Sequence, residues 1–183
     1  LNCNLDCTYC YQHDIHSPQE SMSDKIMQGV FTEIAHDNEL RSVHVEWNGG
    51  EPLLEMELIR KFSSSLVVFC QQKGITYSAS ISTNLFALDD SKLNDLVASN
   101  VTSIDTTLAG TSSVHDKYRL VRGGKVGSFN KVWNNIIKAL QVIPVSVCIN
   151  VTADSEPDTY HLIDHLAEIN NDKLSISFLL VED

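Results

Sequence analysis

The chain has 183 residues, 43% of them hydrophobic, and a formal net charge of −11 from 24 acidic and 13 basic residues. This length and apolar content predict one compact domain with a substantial core. A nucleic-acid surface needs clustered Lys and Arg, so the acidic balance predicts no nucleic-acid partner. No apolar run reaches about 18 residues, so the sequence also predicts no membrane partner.

The first feature along the chain is a set of three cysteines, Cys3, Cys7 and Cys10, spaced C-x3-C-x2-C. Iron–sulfur clusters are usually held by four thiolates, so three local ligands would leave one iron of a [4Fe–4S] cube open. An open metal position is where an outside molecule binds and reacts, as in catalytic zinc sites. Such a triplet in a chain otherwise poor in cysteine also indicates a reducing compartment, here predicted to be the cytoplasm.

Downstream of the cysteines, helix and strand patterns alternate almost without interruption. Apolar spacing predicts helices over 26–34, 58–69, 93–97, 132–140 and 158–170, and strands over 43–47, 76–82, 103–108, 145–151 and 174–181. Strict alternation predicts an α/β fold with a parallel sheet and outer helices, either an open doubly wound sheet or a barrel. A sixth strand upstream of Leu1 would complete a six-unit βα array. No linker interrupts the pattern, so residues 1–183 are predicted to form one domain.

Three further local predictions concern a loop, a cap and two isolated cysteines. Residues 110–127 are polar and Gly-rich and are predicted to be a loop. Ser128 is predicted to cap the helix that follows this loop. Cys70 and Cys148 lie in apolar stretches and are predicted to be small buried hydrophobic residues.

Unusual polar residues follow the ends of several predicted strands. They are Gly49-Gly50-Glu51-Pro52, Thr83-Asn84, Thr106-Thr107, and then His115, Asp116 and Arg119. In parallel βα folds, ligands bind at the C-terminal ends of the strands. We therefore expect these residues to meet the cysteine loop at one rim of the fold.

Three segments occur in order, and together they carry a family resemblance. They are Cys-Asn-Leu-Asp-Cys-Thr-Tyr-Cys-Tyr, Trp-Asn-Gly-Gly-Glu-Pro-Leu-Leu and His-Asp-Lys-Tyr-Arg. With them the chain resembles the radical S-adenosylmethionine (SAM) superfamily, in particular the branch of peptide maturases and sulfatase-maturing enzymes with an added C-terminal SPASM domain. The resemblance covers essentially the whole chain. It implies a partial (β/α)6 TIM-like barrel, with a first strand and a C-terminal extension outside this chain.

The resemblance also implies a reaction. Cys3, Cys7 and Cys10 would hold the [4Fe–4S] cluster, and its open iron would be chelated by the amine and carboxylate of SAM. One electron from the reduced cluster would break the sulfonium C–S bond, and the resulting 5′-deoxyadenosyl radical would take a hydrogen atom from the substrate. In such a reaction the cofactors carry the difficult step, and the protein positions and shields it.

Ten further residues are expected to contact SAM on the strength of this resemblance. They are Tyr9, Asn48, Gly49, Gly50, Glu51, Thr83, Asn84, Thr107, Arg119 and Leu180. The two glycines would let the methionine part approach the backbone, Glu51 would help to hold the amino group, and Arg119 would pair with the carboxylate. Tyr9 and Leu180 would lie against adenine. No catalytic acid or base is implied.

Each of these residues also has an ordinary structural interpretation. The glycines would form a plain strand-to-helix turn, Glu51 would be an acid at a helix N-terminus, and Asn48 would cap the turn. Thr83 and Asn84 would merely end a strand. Arg119 would be a solvated charge, Leu180 would be core, and Tyr9 would fill the loop.

The sequence departs from the family pattern at three positions. Thr107 stands where the family commonly has Ser, so a hydroxyl remains for a hydrogen bond to SAM. Ala109 replaces a common acidic residue, and Leu85 replaces a common Gly. The last two leave the substrate open, and Leu85 also bears on the turn beside the SAM site.

The partners implied by the resemblance are a peptide or protein substrate and a reductant such as flavodoxin or ferredoxin. Two other interpretations of the chain remain open. In the first, Cys3, Cys7, Cys10 and His13 form a structural Cys3His zinc site without catalysis. In the second, the domain binds a peptide but has lost turnover.

Overall fold

The computed structural model describes residues 2–10, 12, 21–124, 126–152 and 155–181. Its main sheet has five parallel strands in the order β2-β3-β4-β6-β7. They are β2 (Ser42–Trp47), β3 (Thr76–Ser82), β4 (Val101–Leu108), β6 (Val145–Val151) and β7 (Leu174–Leu180). This parallel, helix-covered sheet confirms the predicted α/β class and partial barrel.

Six α-helices occur in the described residues. They are α1 (Asp24–His36), α2 (Met56–Lys73), α3 (Asp90–Ala98), α4 (Ser112–Tyr118), α5 (Phe129–Ala139) and α6 (Glu156–Glu168). A 3₁₀ turn, Pro52–Leu54, precedes α2. Within the described part of the chain, none of the helices is both long enough and apolar enough to cross a membrane.

The two faces of the sheet differ because successive strand residues point to opposite sides. One face packs on the helices through fully buried residues such as Ile81, Ile104, Val147 and Ile149. Hydroxyl, thiol and amide side chains occupy the other face. Examples are Ser82, Thr107, Cys148 and Asn150. The apolar core therefore lies between sheet and helices, and the opposite face is polar.

The prediction of a loop over residues 110–127 is wrong. The segment contains α4 and a short strand, β5 (Arg119–Val121), which pairs antiparallel with β1 (Leu5–Cys7) inside the cysteine loop. The strand pairing is non-local and only three residues long, and α4 has too few apolar positions to show a helical period. The consequence is that this segment shapes the cysteine loop.

Ser128 is the N-cap residue of α5, as predicted, but its hydroxyl makes no capping bond. Instead, Asp116 Oδ1 accepts the backbone N–H groups of Ser128 (2.8 Å) and Phe129 (2.9 Å). A Cβ at Gly127 would collide with the Asp116 carboxylate, so a larger residue there would displace Asp116 from these N–H groups. Asp116 is therefore the residue that satisfies the first N–H groups of α5.

Candidate cofactor site

A cavity of about 610 Å³ opens at the C-terminal ends of the sheet strands. Its volume falls in the usual range for small-molecule sites, roughly 300–1,000 Å³. Every residue predicted to bind metal or cofactor lines this cavity except Glu51. They are Cys3, Cys7, Cys10, Tyr9, Asn48, Gly49, Gly50, Thr83, Asn84, Thr107, Arg119 and Leu180. The structure thus brings the predicted residues together, while their contacts with a cofactor stay predictions.

The three cysteines are half-buried free thiols on a short, ordered loop. The backbone N–H of Cys10 donates to the carbonyl of Cys7 at 3.1 Å, closing a tight turn. Burial raises the pKa of the Cys3 and Cys7 thiols, and the nearby Arg119 charge opposes that rise at Cys7. Asn84 Nδ2 also donates to Cys3 Sγ at 3.7 Å. The loop therefore presents its thiols in a partly desolvated setting.

A single-ion metal site needs several ligand side chains close together. Among the described residues, no three His, Cys, Asp or Glu side chains are grouped closely enough to hold one metal ion. His13, the proposed fourth zinc ligand, lies outside the described residues, so the Cys3His interpretation is not tested.

Arg119 is 6% exposed and lines the cavity from the start of β5. One terminal nitrogen of its guanidinium donates to the Tyr9 hydroxyl at 3.0 Å. Its Nε is buried and has no hydrogen-bond partner in the described part of the protein. Buried donors are normally paired, so this one points to a missing acceptor. A carboxylate would suit this position, because it pairs with a guanidinium through two parallel N–H bonds. Because Arg119 is buried, the interpretation of it as a solvated charge is wrong.

Tyr9 joins the cysteine loop to Arg119. Its hydroxyl accepts the guanidinium hydrogen bond, and its ring lies 6.2 Å from that of Tyr118. Burial raises the pKa of Tyr9, although the Arg119 charge opposes this. Tyr9 therefore stays neutral while it holds Arg119, a contact that the sequence alone did not reveal.

Glu51 is 2% exposed and ties two turns together instead of lining the cavity. Its Oε1 accepts from Leu53 N–H (2.9 Å) and the Thr83 hydroxyl (2.6 Å), and its Oε2 accepts from Asn84 N–H (2.8 Å). Burial raises its pKa, and these hydrogen bonds act in the opposite direction. Glu51 thus caps the 3₁₀ turn, as its structural interpretation predicted. Its contact with an amino group stays a prediction.

Glycine suits the two positions after β2 for two different reasons, both of which concern the backbone. Gly49 has φ +149°, a region that side-chain-bearing residues rarely enter. At Gly50 a Cβ would collide with the carbonyl of Asn2, which accepts the Glu51 N–H at 2.8 Å. Gly50 therefore lets the start of the cysteine loop pass close by. Asn48 does not cap this turn, because its side chain donates to Glu46 Oε1 at 2.7 Å.

The structure explains how a leucine can stand at position 85, where the family commonly has Gly. It has φ +59°, the left-handed conformation that glycine adopts most easily. Its side chain is fully buried, and burying a leucine contributes about 1.5–3 kcal/mol. That gain offsets the strain of roughly 1–2 kcal/mol. The leucine therefore fits a left-handed turn conformation that glycine would also adopt.

Two predictions about β6 and β7 are wrong. Leu180 is 83% exposed at the edge of the cavity, so it is not a core residue. Cys148 is half-buried and lines the cavity in register with Thr107, whereas Cys70 is buried as predicted. Val147 and Ile149 face the helices, so strand alternation turns Cys148 to the polar face. Applying the two-residue period to Val-Ser-Val-Cys-Ile-Asn would have identified it.

The sequence matches the profile of the Radical SAM superfamily over residues 1–163. The chain belongs to the Radical SAM superfamily, and the resemblance inferred from its motifs is confirmed.

The chain is also similar to individual proteins of known sequence or structure. The cysteine-type anaerobic sulfatase-maturating enzyme of Clostridium novyi (strain NT) is 32% identical over 140 residues, covering 74% of this chain and 37% of that protein. The solved structure of native anSMEcpe with bound AdoMet and Kp18Cys peptide has a TM-score of 0.81 at 20% identity, covering 100% of this chain and 49% of that one. Streptococcus suis SuiB bound to precursor peptide SuiA has a TM-score of 0.61 at 19% identity, covering 96% and 37%. At this level of identity, the two structural matches show that the fold is shared. The chain spans about a third of the length of the sulfatase-maturating relatives it matches.

Proposed function

We propose that this chain is the core of a radical SAM enzyme that modifies a peptide or protein. Cys3, Cys7 and Cys10 would hold a [4Fe–4S] cluster, and SAM would occupy the remaining cavity. The observation that carries the proposal is the shared cavity, where three partly desolvated thiols lie beside a buried guanidinium with an unpaired Nε. When bound, cluster and SAM supply a 5′-deoxyadenosyl radical that takes a hydrogen atom from the substrate.

The protein's own residues would bind and orient the cofactors. Arg119 would pair with the SAM carboxylate through its guanidinium, which Tyr9 keeps in place at the cavity wall. The Thr107 hydroxyl reaches the same cavity from β4. Glu51 would hold the end of β3 against the turn after β2, so that the walls of the cavity stay closed around a bound group. Enclosure of this kind excludes water from a reactive intermediate.

A peptide or protein is the substrate class that the comparisons favour. The sequence relative matures sulfatases by name, and the two solved neighbours contain a peptide in addition to the shared fold. A flavodoxin or ferredoxin would supply the electron.

The test is anaerobic reconstitution, followed by iron and sulfide analysis and a search for 5′-deoxyadenosine by mass spectrometry after addition of dithionite and SAM. We expect about four irons per chain, and SAM cleavage that is lost in Cys3→Ala. One zinc with no sulfide would replace this proposal by the structural zinc site. A cluster that binds SAM without cleaving it, with peptide substrates present, would show a degenerate domain.

A further inference from the structure

One buried histidine is connected to both ends of the Arg119 backbone. The Arg119 N–H donates to the carbonyl of His115 at the end of α4. The Arg119 carbonyl accepts from the Ser128 hydroxyl at 2.6 Å, and His115 Nε2 lies 3.1 Å from that same hydroxyl oxygen. His115 and Ser128 are both 0% exposed, and neither lines the cavity. Nothing in the proposed chemistry uses them directly.

The hydrogen bonds of this group run in one direction. The backbone N–H of Ala109 lies 3.3 Å from His115 Nδ1 and can only donate. Nδ1 is therefore the acceptor, so the neutral ring carries its hydrogen on Nε2 and donates it to Ser128 Oγ. The Ser128 hydrogen is then directed to the Arg119 carbonyl. Burial, with a smaller effect of the Arg119 charge, lowers the pKa of His115 to about 3, so this order holds at neutral pH.

These hydrogen bonds run from Ala109 through His115 and Ser128 to Arg119, and we call them the relay. The relay joins parts of the cavity wall that are distant in sequence. Ala109 directly follows β4, which carries Thr107, whereas Arg119 begins β5, which pairs with Cys7. A displacement of His115 would therefore move Arg119 relative to both Thr107 and the cysteine loop. Because a guanidinium grips a carboxylate through a fixed planar fork, a small displacement of its backbone weakens the pairing.

We infer that His115 and Ser128 are positioning residues that set the affinity for SAM by fixing the backbone from which Arg119 reaches its carboxylate. The inference rests on the proposed function of the cavity. Both residues act through Arg119, since neither reaches the cavity itself.

The direct test compares two buried serines. Ser128→Ala removes the hydroxyl that bonds to the Arg119 carbonyl. Ser63→Ala removes a hydroxyl that is equally buried, in α2, and that accepts from the Tyr77 hydroxyl at 3.2 Å. The dissociation constant for SAM is measured by equilibrium dialysis on anaerobically purified protein, with iron content matched between samples. We expect Ser128→Ala to weaken SAM binding about tenfold, as is common for residues that orient a ligand-binding side chain. Ser63→Ala should change it less than about twofold.

A double-mutant cycle separates positioning from a general loss of structure. If Ser128 acts through Arg119, adding Ser128→Ala to Arg119→Ala should weaken SAM binding no further. An equal loss in both backgrounds, or unchanged affinity in Ser128→Ala, would overturn the inference. His115→Phe, which keeps a ring against Phe129 (centroids 5.5 Å apart), should reproduce the effect of Ser128→Ala. Failure of the proposed function would appear instead as a wild-type protein that forms no 5′-deoxyadenosine.

Discussion

Cys7 and Arg119 are register partners in the antiparallel pair of β1 and β5. One is a predicted cluster ligand, and the other is the predicted partner of the SAM carboxylate. The backbone bonds beside them, Thr8 N–H to Tyr118 carbonyl and Arg122 N–H to Asn4 carbonyl, both measure 2.9 Å. This pairing fixes the distance between the cluster loop and the guanidinium, so cluster and SAM would be held by one small structural unit.

Arg119→Ala should weaken SAM binding and leave the cluster intact. Hydrogen bonds to charged groups contribute about 1.5–3 kcal/mol, which corresponds to a loss of roughly 10- to 150-fold in affinity. Iron and sulfide content should equal that of the wild type, because the cysteines are unchanged. Arg60→Ala, which removes an exposed arginine 3.8 Å from Asp95 on a distant surface, is the control. Equal SAM affinity in Arg119→Ala and wild type would remove Arg119 from the site.

Gly50→Ala should destabilise the cysteine loop. The new methyl group would collide with the Asn2 carbonyl, and crowding of this kind costs roughly 1–3 kcal/mol. Iron retained per chain after reconstitution should fall. Gly29→Ala is the matched control, because nothing lies within 4 Å of a Cβ there and alanine favours a helix over glycine by about 0.5–1 kcal/mol. If Gly50→Ala keeps full iron content, the close passage of Asn2 is unimportant for the loop.

The pH dependence of stability should carry a contribution from His115. Its pKa falls from 6.5 to about 3 on folding because the ring is buried. As the pH drops below about 6.5, the unfolded chain takes up a proton that the folded protein does not, so stability declines by up to about 1.4 kcal/mol per pH unit. His115→Phe lacks this contribution. Urea unfolding of both proteins between about pH 7 and pH 5 should therefore show that the wild type loses stability more steeply as the pH falls. Parallel curves would show that His115 takes up its proton as readily in the folded protein as in the unfolded chain.

Cys148 should react with a small thiol reagent while Cys70 stays protected. Cys148 is half-buried and faces the cavity, whereas Cys70 is 1% exposed in the core. Mass spectrometry of peptides after brief alkylation of the native, cluster-loaded protein gives both extents of labelling. Bound SAM should slow the labelling of Cys148, because both would occupy the same cavity. Labelling of Cys148 only after unfolding would place its thiol away from the cavity.

Much of the fold could be predicted because the local spacing of apolar residues indicates most of its helices and strands. The alternation of Val43, Val45 and Trp47, and the apolar run around Val147, define parallel strands without tertiary information. The cysteine spacing and Gly-Gly-Glu-Pro, as part of the family resemblance, led to most of the residues that line the cavity. Strand alternation and short motifs can be recognised in a sequence because they involve only residues that are close together along the chain.

The errors lie where non-local contacts decide the structure. β5 forms because Leu120 and Val121 meet a partner strand at the other end of the chain, and no local pattern signals that. Asp116 takes over the capping of α5 from Ser128 because the serine hydroxyl is used by Arg119. The hydrogen bonds of Glu51 to Thr83 and Asn84 join segments more than thirty residues apart.

The pairing of β1 with β5 also has a consequence for the timing of assembly. Tyr9 and Arg119 are separated by 110 positions, and domains fold while synthesis proceeds from the N-terminus. The cysteine loop therefore leaves the ribosome long before the strand that gives it shape. A donor of iron and sulfide that reached the nascent chain early would meet the three thiols without their partner strand, because the β1–β5 pairing needs residues 119–121. Delivery of the cluster is thus expected to follow folding of this domain.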